Sequence, residues 1–174
     1  MTLIIEDGTG LINANSYATA AETIAYAEAR GILPPDDEEL VTAALISAMD
    51  YLEAQRSKYQ GRKTYPAIQA LQWPRTGVTL DCSYLLPSDV IPVELKAAQM
   101  ALSLEVFAGN SLMPSSDGRV VKREKLDVIE REFMTPKDLG MGGLYSPSFP
   151  IVDGLLAPLF AACGGGVGLR TMRV

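Results

Sequence analysis

Three stretches of this chain repeat apolar residues at helical spacing, and each ends at a glycine, which points to a fold of helices packed face to face. In the first, Tyr17, Ala20, Ala21, Ile24, Ala25 and Ala27 form one stripe, because side chains three and four residues apart line the same side of a helix. Asn15 or Ser16 can cap its start, and Gly31 supplies a stop just beyond Arg30. The second begins after Pro34 and Pro35, where Asp36, Asp37, Glu38 and Glu39 crowd the first turn and suit the positive end of the helix dipole. Leu40, Val41, Ala44, Leu45, Ala48, Met49 and Leu52 carry it toward Tyr59, with Gly61 ending it. The third opens at Pro92 and shows Val93, Ala97, Met100, Ala101, Leu104 and Ala108 before Gly109. Alanine on all three faces allows close approach.

Elsewhere the pattern changes. Pro66, Pro74 and Pro87 forbid a long helix between Arg62 and Ile91, so this segment is expected to be an extended loop pinned by Leu71 and Trp73. From Arg119 to Phe133 charged and apolar residues alternate, the period of a strand, which predicts a charged β-hairpin turning near Leu126 and Asp127. Eight of the fifteen glycines fall after residue 139. The expected organisation is therefore mainly α: an antiparallel bundle of about three long helices over residues 1–139, with the hairpin inserted at 119–133, and an extended glycine-rich tail over 140–174. Within that tail Phe149, Ile151, Leu155, Leu156, Leu159 and Phe160 form a short apolar helix, with Pro150 near its start and Pro158 limiting its length. It can fold back on its own bundle or pack on a neighbour.

With 174 residues, 48% hydrophobic and 21% charged, the chain can bury one ordinary core without staples. It contains no histidine, which removes the commonest general base and zinc ligand and every serine or cysteine triad built on imidazole. Cys82 and Cys163 stand far apart outside any paired motif, so free thiols are expected and a zinc site is not. The Gly140 to Gly143 and Gly164 to Gly168 runs lack the lysine and hydroxyl residue of a phosphate loop and read as linkers. Glu130 and Glu132 would share one solvated strand face, where nothing raises a carboxylate pKa. No catalytic residue, metal or cofactor is expected, and the chain is not read as an enzyme. The first ten residues lack the layout of a secretory signal, and no apolar run approaches the roughly 20 residues of a membrane span. A soluble protein made in the cytoplasm is the expectation.

Charge is unevenly placed. Residues 1–50 hold nine acids and one base, and the remainder twelve acids and fourteen bases, within a net charge of -6. No acid occurs between Ala54 and Leu80, a stretch that holds Arg56, Lys58, Arg62, Lys63 and Arg75 among Tyr59, Tyr65 and Trp73. Cations can neutralise phosphates and aromatic faces can stack on bases. Arg56, Lys58, Arg62, Lys63, Trp73 and Arg75 are thus candidate nucleic-acid-binding residues. The competing reading makes Trp73 a core anchor and pairs Arg62 and Arg75 with helix acids.

A longer ordered pattern runs through the chain: Glu6-Asp7-Gly8-Thr9-Gly10, Asn13-Ala14-Asn15-Ser16-Tyr17, Asp50-Tyr51, Gly61-Arg62, Gln69-Ala70-Leu71-Gln72-Trp73-Pro74-Arg75, Ile91-Pro92, Val121-Lys122-Arg123-Glu124 and Val152-Asp153. In this the sequence resembles a tailed-phage family of head-tail connector (adaptor) proteins, whose members often carry the label of DnaT-like single-stranded-DNA-binding proteins. The resemblance implies a structural virion protein at the neck. Subunits would form a ring, usually of twelve, between the portal and the next neck or tail-terminator component, with double-stranded DNA passing through unbound. It also implies a portal contact, for which Phe149, Ile151, Leu155, Leu156, Leu159 and Phe160 are the candidates. The alternative label implies a phage replication accessory protein that binds single-stranded DNA through the basic segment. A tail-completion or minor head protein at another neck layer is a third possibility.

Overall fold

The computed structural model describes residues 2–113, 121–125, 130–133 and 149–160. Helix is the dominant element: α1 (Ala20–Glu28), α2 (Glu38–Ala54), α3 (Val93–Phe107) and α4 (Pro150–Phe160). Two of these are long; α1 has 9 residues and α4 has 11, so the described residues hold two long helices where about three were expected. α2 lies against α3, α3 against α4, and α1 touches both α2 and α3.

The first helix starts later than its stripe suggests. Thr19 is the cap, its side chain accepting the Glu22 N–H while the Glu22 carboxylate accepts the Thr19 N–H, a reciprocal box that satisfies two otherwise unpaired donors. Asn15 and Ser16 are occupied elsewhere: the Asn15 side chain accepts from Ile4 N–H and donates to Thr2 O, and the Ser16 hydroxyl donates to Ala18 O. α2 is capped by Asp37, which accepts from Glu39 N–H, and it ends at Ala54, short of Tyr59. Gly31 and Gly61 both have positive φ, as chain reversals beyond helix ends require.

α3 buries a face rotated from the one expected. Leu95, Ala98, Gln99 and Leu102 point inward together with Ala101 of the expected stripe, and Met100 packs against the core, while Val93 is 73% exposed. The reason is Gln99, a polar residue that the stripe of hydrophobic residues passed over. Its side chain makes four hydrogen bonds inside the core: it accepts from Tyr17 and Ala18 N–H and donates to Ser16 Oγ and Leu45 O. A buried amide so fully satisfied costs little and fixes the rotation of its helix.

The proline-rich segment is more ordered than a loop. It holds two small antiparallel ribbons, β1 (Arg62–Lys63) with β2 (Arg75–Thr76), and β3 (Thr79–Leu80) with β4 (Tyr84–Leu85). Leu71 and Trp73 are buried anchors, as expected, and the Trp73–Pro74 peptide is cis. Between β3 and β4, Cys82 is disulfide-bonded, which corrects the expectation of a free thiol; the only other cysteine, Cys163, lies outside the described residues. The charged hairpin forms between β5 (Val121–Lys125) and β6 (Glu130–Phe133), with Glu124 opposite Arg131 and Lys125 opposite Glu130. Its expected turn at Leu126 and Asp127 lies outside the described residues, as do the glycine runs of the tail.

The apolar helix of the tail folds back on its own bundle. Val152, Leu156 and Leu159 join the core formed by Tyr17, Leu52, Trp73, Leu95 and Leu102. Phe149 meets Tyr51 edge-on at 5.5 Å, and Phe160 packs on Tyr59 at 5.1 Å. Gln60 closes the contact, donating its N–H to Leu159 O and its side-chain amide to Pro158 O.

Candidate functional site

The motif residues converge on one construction at the junction of the N-terminal loop and the segment after α2. Glu6 is fully buried, and its carboxylate accepts the N–H groups of Gly8 and Gly10 on one oxygen and of Leu11 on the other, at 2.8–2.9 Å. A charge can be buried only if hydrogen bonds replace its water, and here the acid wraps the loop around itself. Gly8 and Gly10 have positive φ, and a Cβ on them would meet Asp89 O at 1.8 Å and the Tyr65 ring at 2.4 Å. This explains the spacing of the two glycines: the loop is tightened by Glu6 and pressed against two others.

Tyr17 ties that loop to the basic segment, its phenol oxygen accepting the Trp73 N–H at 3.0 Å. Burial, with Glu53 nearby, pushes its pKa well above the usual tyrosine value. Gln69 braces the turn leading to Trp73, donating to Leu71 O and Pro74 O and accepting from Tyr65 N–H. Glu53 accepts the Gln72 N–H.

The six candidate nucleic-acid residues do not form one surface. Trp73 has no accessible surface and lies edge-on to buried Tyr59 at 5.8 Å, so neither ring can stack on a base in this arrangement. Its indole N–H is a buried donor with no partner among the described residues. Arg75 is buried too, donating to Gln60 O, Gly61 O and the backbone and side-chain oxygens of Gln72. Carbonyls, not the helix acids considered from sequence, satisfy its guanidinium, and burial draws its pKa below the usual arginine value. Lys63 is half-buried, its ammonium donating to Gln69 O and Ala70 O at 3.3 Å. Arg56, Lys58 and Arg62 are exposed, with Tyr65 and Ile68 at 39% and 53% beside them.

Of the apolar candidates in the tail helix, Leu156 and Leu159 are buried, Phe149, Leu155 and Phe160 partly so, and Ile151 is exposed. Glu6 and Gln69 stand in the ordered motif pattern with no role legible in the sequence, and Gln99 stands outside it. For Gln99 a signal existed, since it sits between Leu95 and Leu102 at helical spacing. An open cavity of about 280 Å³ is lined by Ser47 and Asp50 of α2, Val106 and residues 110–113, with Asp50 the one ionisable group among these described residues. Among the described residues no set of three acids or cysteines could hold a metal ion, and no helix is long and apolar enough to cross a membrane.

A family model whose printed description is "Putative DnaT-like ssDNA binding protein" matches residues 1–174. The chain belongs to that family. No curated protein and no solved structure matches it.

Proposed function

We propose that this chain is an assembly subunit of a tailed-phage particle, a head-tail connector that forms a ring between portal and neck and performs no chemistry of its own. The observation that supports this reading is the interior position of Trp73, Tyr59 and Arg75, which leaves Tyr65 as the one exposed aromatic of the basic segment in place of the multi-ring platform that single-strand binding usually uses. Exposed apolar side chains meanwhile stand at several points of the surface, among them Ile12, Leu33, Val93 and Ile151, as suits a subunit completed by its neighbours. Acid excess in the first fifty residues is compatible with a channel through which DNA slides without being gripped. In this reading the virion neck is the site of action, and α4 presents Ile151 toward the portal while Leu156 and Leu159 hold the helix to its own bundle.

The family description supports a second reading, a single-stranded-DNA accessory protein that would use Arg56, Lys58 and Arg62 with Tyr65. One pair of measurements separates them. Electron microscopy of the purified protein mixed with its portal should show rings stacked on the portal, and oligonucleotide titrations should show little binding at physiological salt. Monomers that bind single strands tightly, and lose that binding on Arg56→Glu with Arg62→Glu, would overturn the connector reading in favour of the second.

A further inference from the structure

We infer that Cys82 and Cys163 form a single redox-operated crosslink, which pins the end of α4 to the ribbon of β3 and β4. Cys82 is disulfide-bonded and no cysteine is free. The bond lies within one chain, whose only other cysteine is Cys163, so the pairing follows by count.

The described residues around the pair suit it. β3 lies against α4, and the Gln60 side-chain amide donates to Thr79 O of β3 and to Pro158 O of α4 alike. Cys82 follows β3 by two residues and Cys163 follows the end of α4 by three, a length of chain that reaches about 10 Å. Cys82 stands in a turn, with the Ser83 N–H donating to Leu80 O and with φ of 49° at Asp81 and 57° at Cys82. Such a turn ordinarily takes Asn-Gly, because a Cβ strains left-handed backbone. A cysteine in the glycine position tolerates that strain and sets an exposed residue at the tip of the ribbon, open to exchange with thiols in solution.

Formation is a two-electron oxidation by a small-molecule disulfide such as oxidised glutathione. One cysteine thiolate attacks that disulfide, giving a mixed disulfide and one released thiolate. The other cysteine thiolate then attacks the protein sulfur, the Cys82–Cys163 bond forms and the second small thiolate leaves. The protons lost by the two cysteines end on the two released thiols. A reducing compartment therefore holds the pair open, and an oxidising one joins it. The crosslink encloses about 80 residues, α3 among them, so it restricts the unfolded chain strongly. In the folded chain it adds a covalent tie to the seat that Val152, Leu156 and Leu159 make for α4 on the bundle. Neither the connector nor the DNA-binding reading is needed for it.

Full-length chain equilibrated with oxidised glutathione, and then with excess dithiothreitol, tests this. Digestion of the oxidised chain without reduction should release one linked peptide pair holding Cys82 and Cys163. Reduction should lower the melting temperature by about 10 °C and quicken hydrogen exchange in α4 more than in α2. Cys163→Ser, with helicity checked by circular dichroism, should melt with the reduced chain and cease to respond to reductant. Two titratable thiols after oxidation, dimers linked through Cys82, or a melting temperature and α4 exchange that ignore reduction would each overturn the inference.

Discussion

The phenol oxygen of Tyr17 accepts the backbone N–H of Trp73 across 56 residues of sequence, at 3.0 Å inside the core. This bond joins the N-terminal loop to the turn that delivers Trp73 and Arg75, and it explains why a tyrosine and not a phenylalanine stands at the head of the first apolar stripe.

Tyr17→Phe should therefore leave packing intact and orphan a buried donor, at a cost of about 1–3 kcal/mol in urea unfolding. It should also change the alkaline limb. The folded pKa of Tyr17 is raised by burial, so its contribution is complete below the unfolded value near 10 and is lost as pH rises toward the folded one. The variant should lose stability less steeply above pH 10, with Tyr59 and Tyr51, whose pKa values are also raised by burial, supplying slope that remains. An unchanged alkaline slope would count against this account.

Gln99→Leu removes four hydrogen bonds at once and leaves the Tyr17 N–H unpaired in the core, whereas the Ala18 N–H keeps Ser16 Oγ and Leu45 O, inside α2, keeps its helical partner. The expected loss is about 1–3 kcal/mol, the cost of one unsatisfied buried group. Gln99→Glu keeps the acceptor but cannot donate when ionised, so it should recover stability only at acid pH. Thermal melts across pH 4–7 would read this.

Gly8→Ala forces a Cβ into the Asp89 carbonyl at 1.8 Å, whereas a Cβ on Gly31 meets nothing within 4 Å. Both positions have positive φ, so both variants carry backbone strain of about 1–3 kcal/mol. Gly8→Ala should cost more, through displacement of the loop held by Glu6. Equal melting temperatures for the two would show that this contact is not rigid.

The Thr19–Glu22 box gives an acid-side signature. Hydrogen bonding to the Thr19 backbone holds the Glu22 carboxyl below its usual pKa, so this stabilisation is present above pH 4.5 and is lost as pH falls through the lower folded value. Thr19→Ala should cost about 1 kcal/mol at neutral pH, and the difference should shrink in acid. A difference independent of pH would assign the effect to Thr19 alone.

Arg75 and Arg62 should behave oppositely in function and stability. Arg75→Gln strips a buried fork from Gln60 O and Gly61 O and should lower stability by about 2 kcal/mol, with lost bonds to a charged donor as the cause. Arg62→Gln on the surface should change stability by less than about 0.5 kcal/mol. Residual oligonucleotide binding, where seen, should depend on Arg62. Matching destabilisation of the two variants would place Arg62 inside the same network.

Sequence alone located the four helical segments, the anchors Leu71 and Trp73 and the charged hairpin, because periodicity and punctuation by glycine and proline are local properties. It also exposed the split between an acidic first part and a basic segment. Only the tertiary structure decided which face of α3 is inside, since a glutamine becomes a core residue only when Ser16, Tyr17, Ala18 and Leu45 arrive around it. It likewise decided that α4 completes the bundle through Leu156 and Leu159. The same holds for the basic segment: Arg56, Lys58, Arg62, Lys63 and Arg75 look alike along the chain, and burial separates them into structural and exposed cations because desolvation of a charge depends on what surrounds it in space.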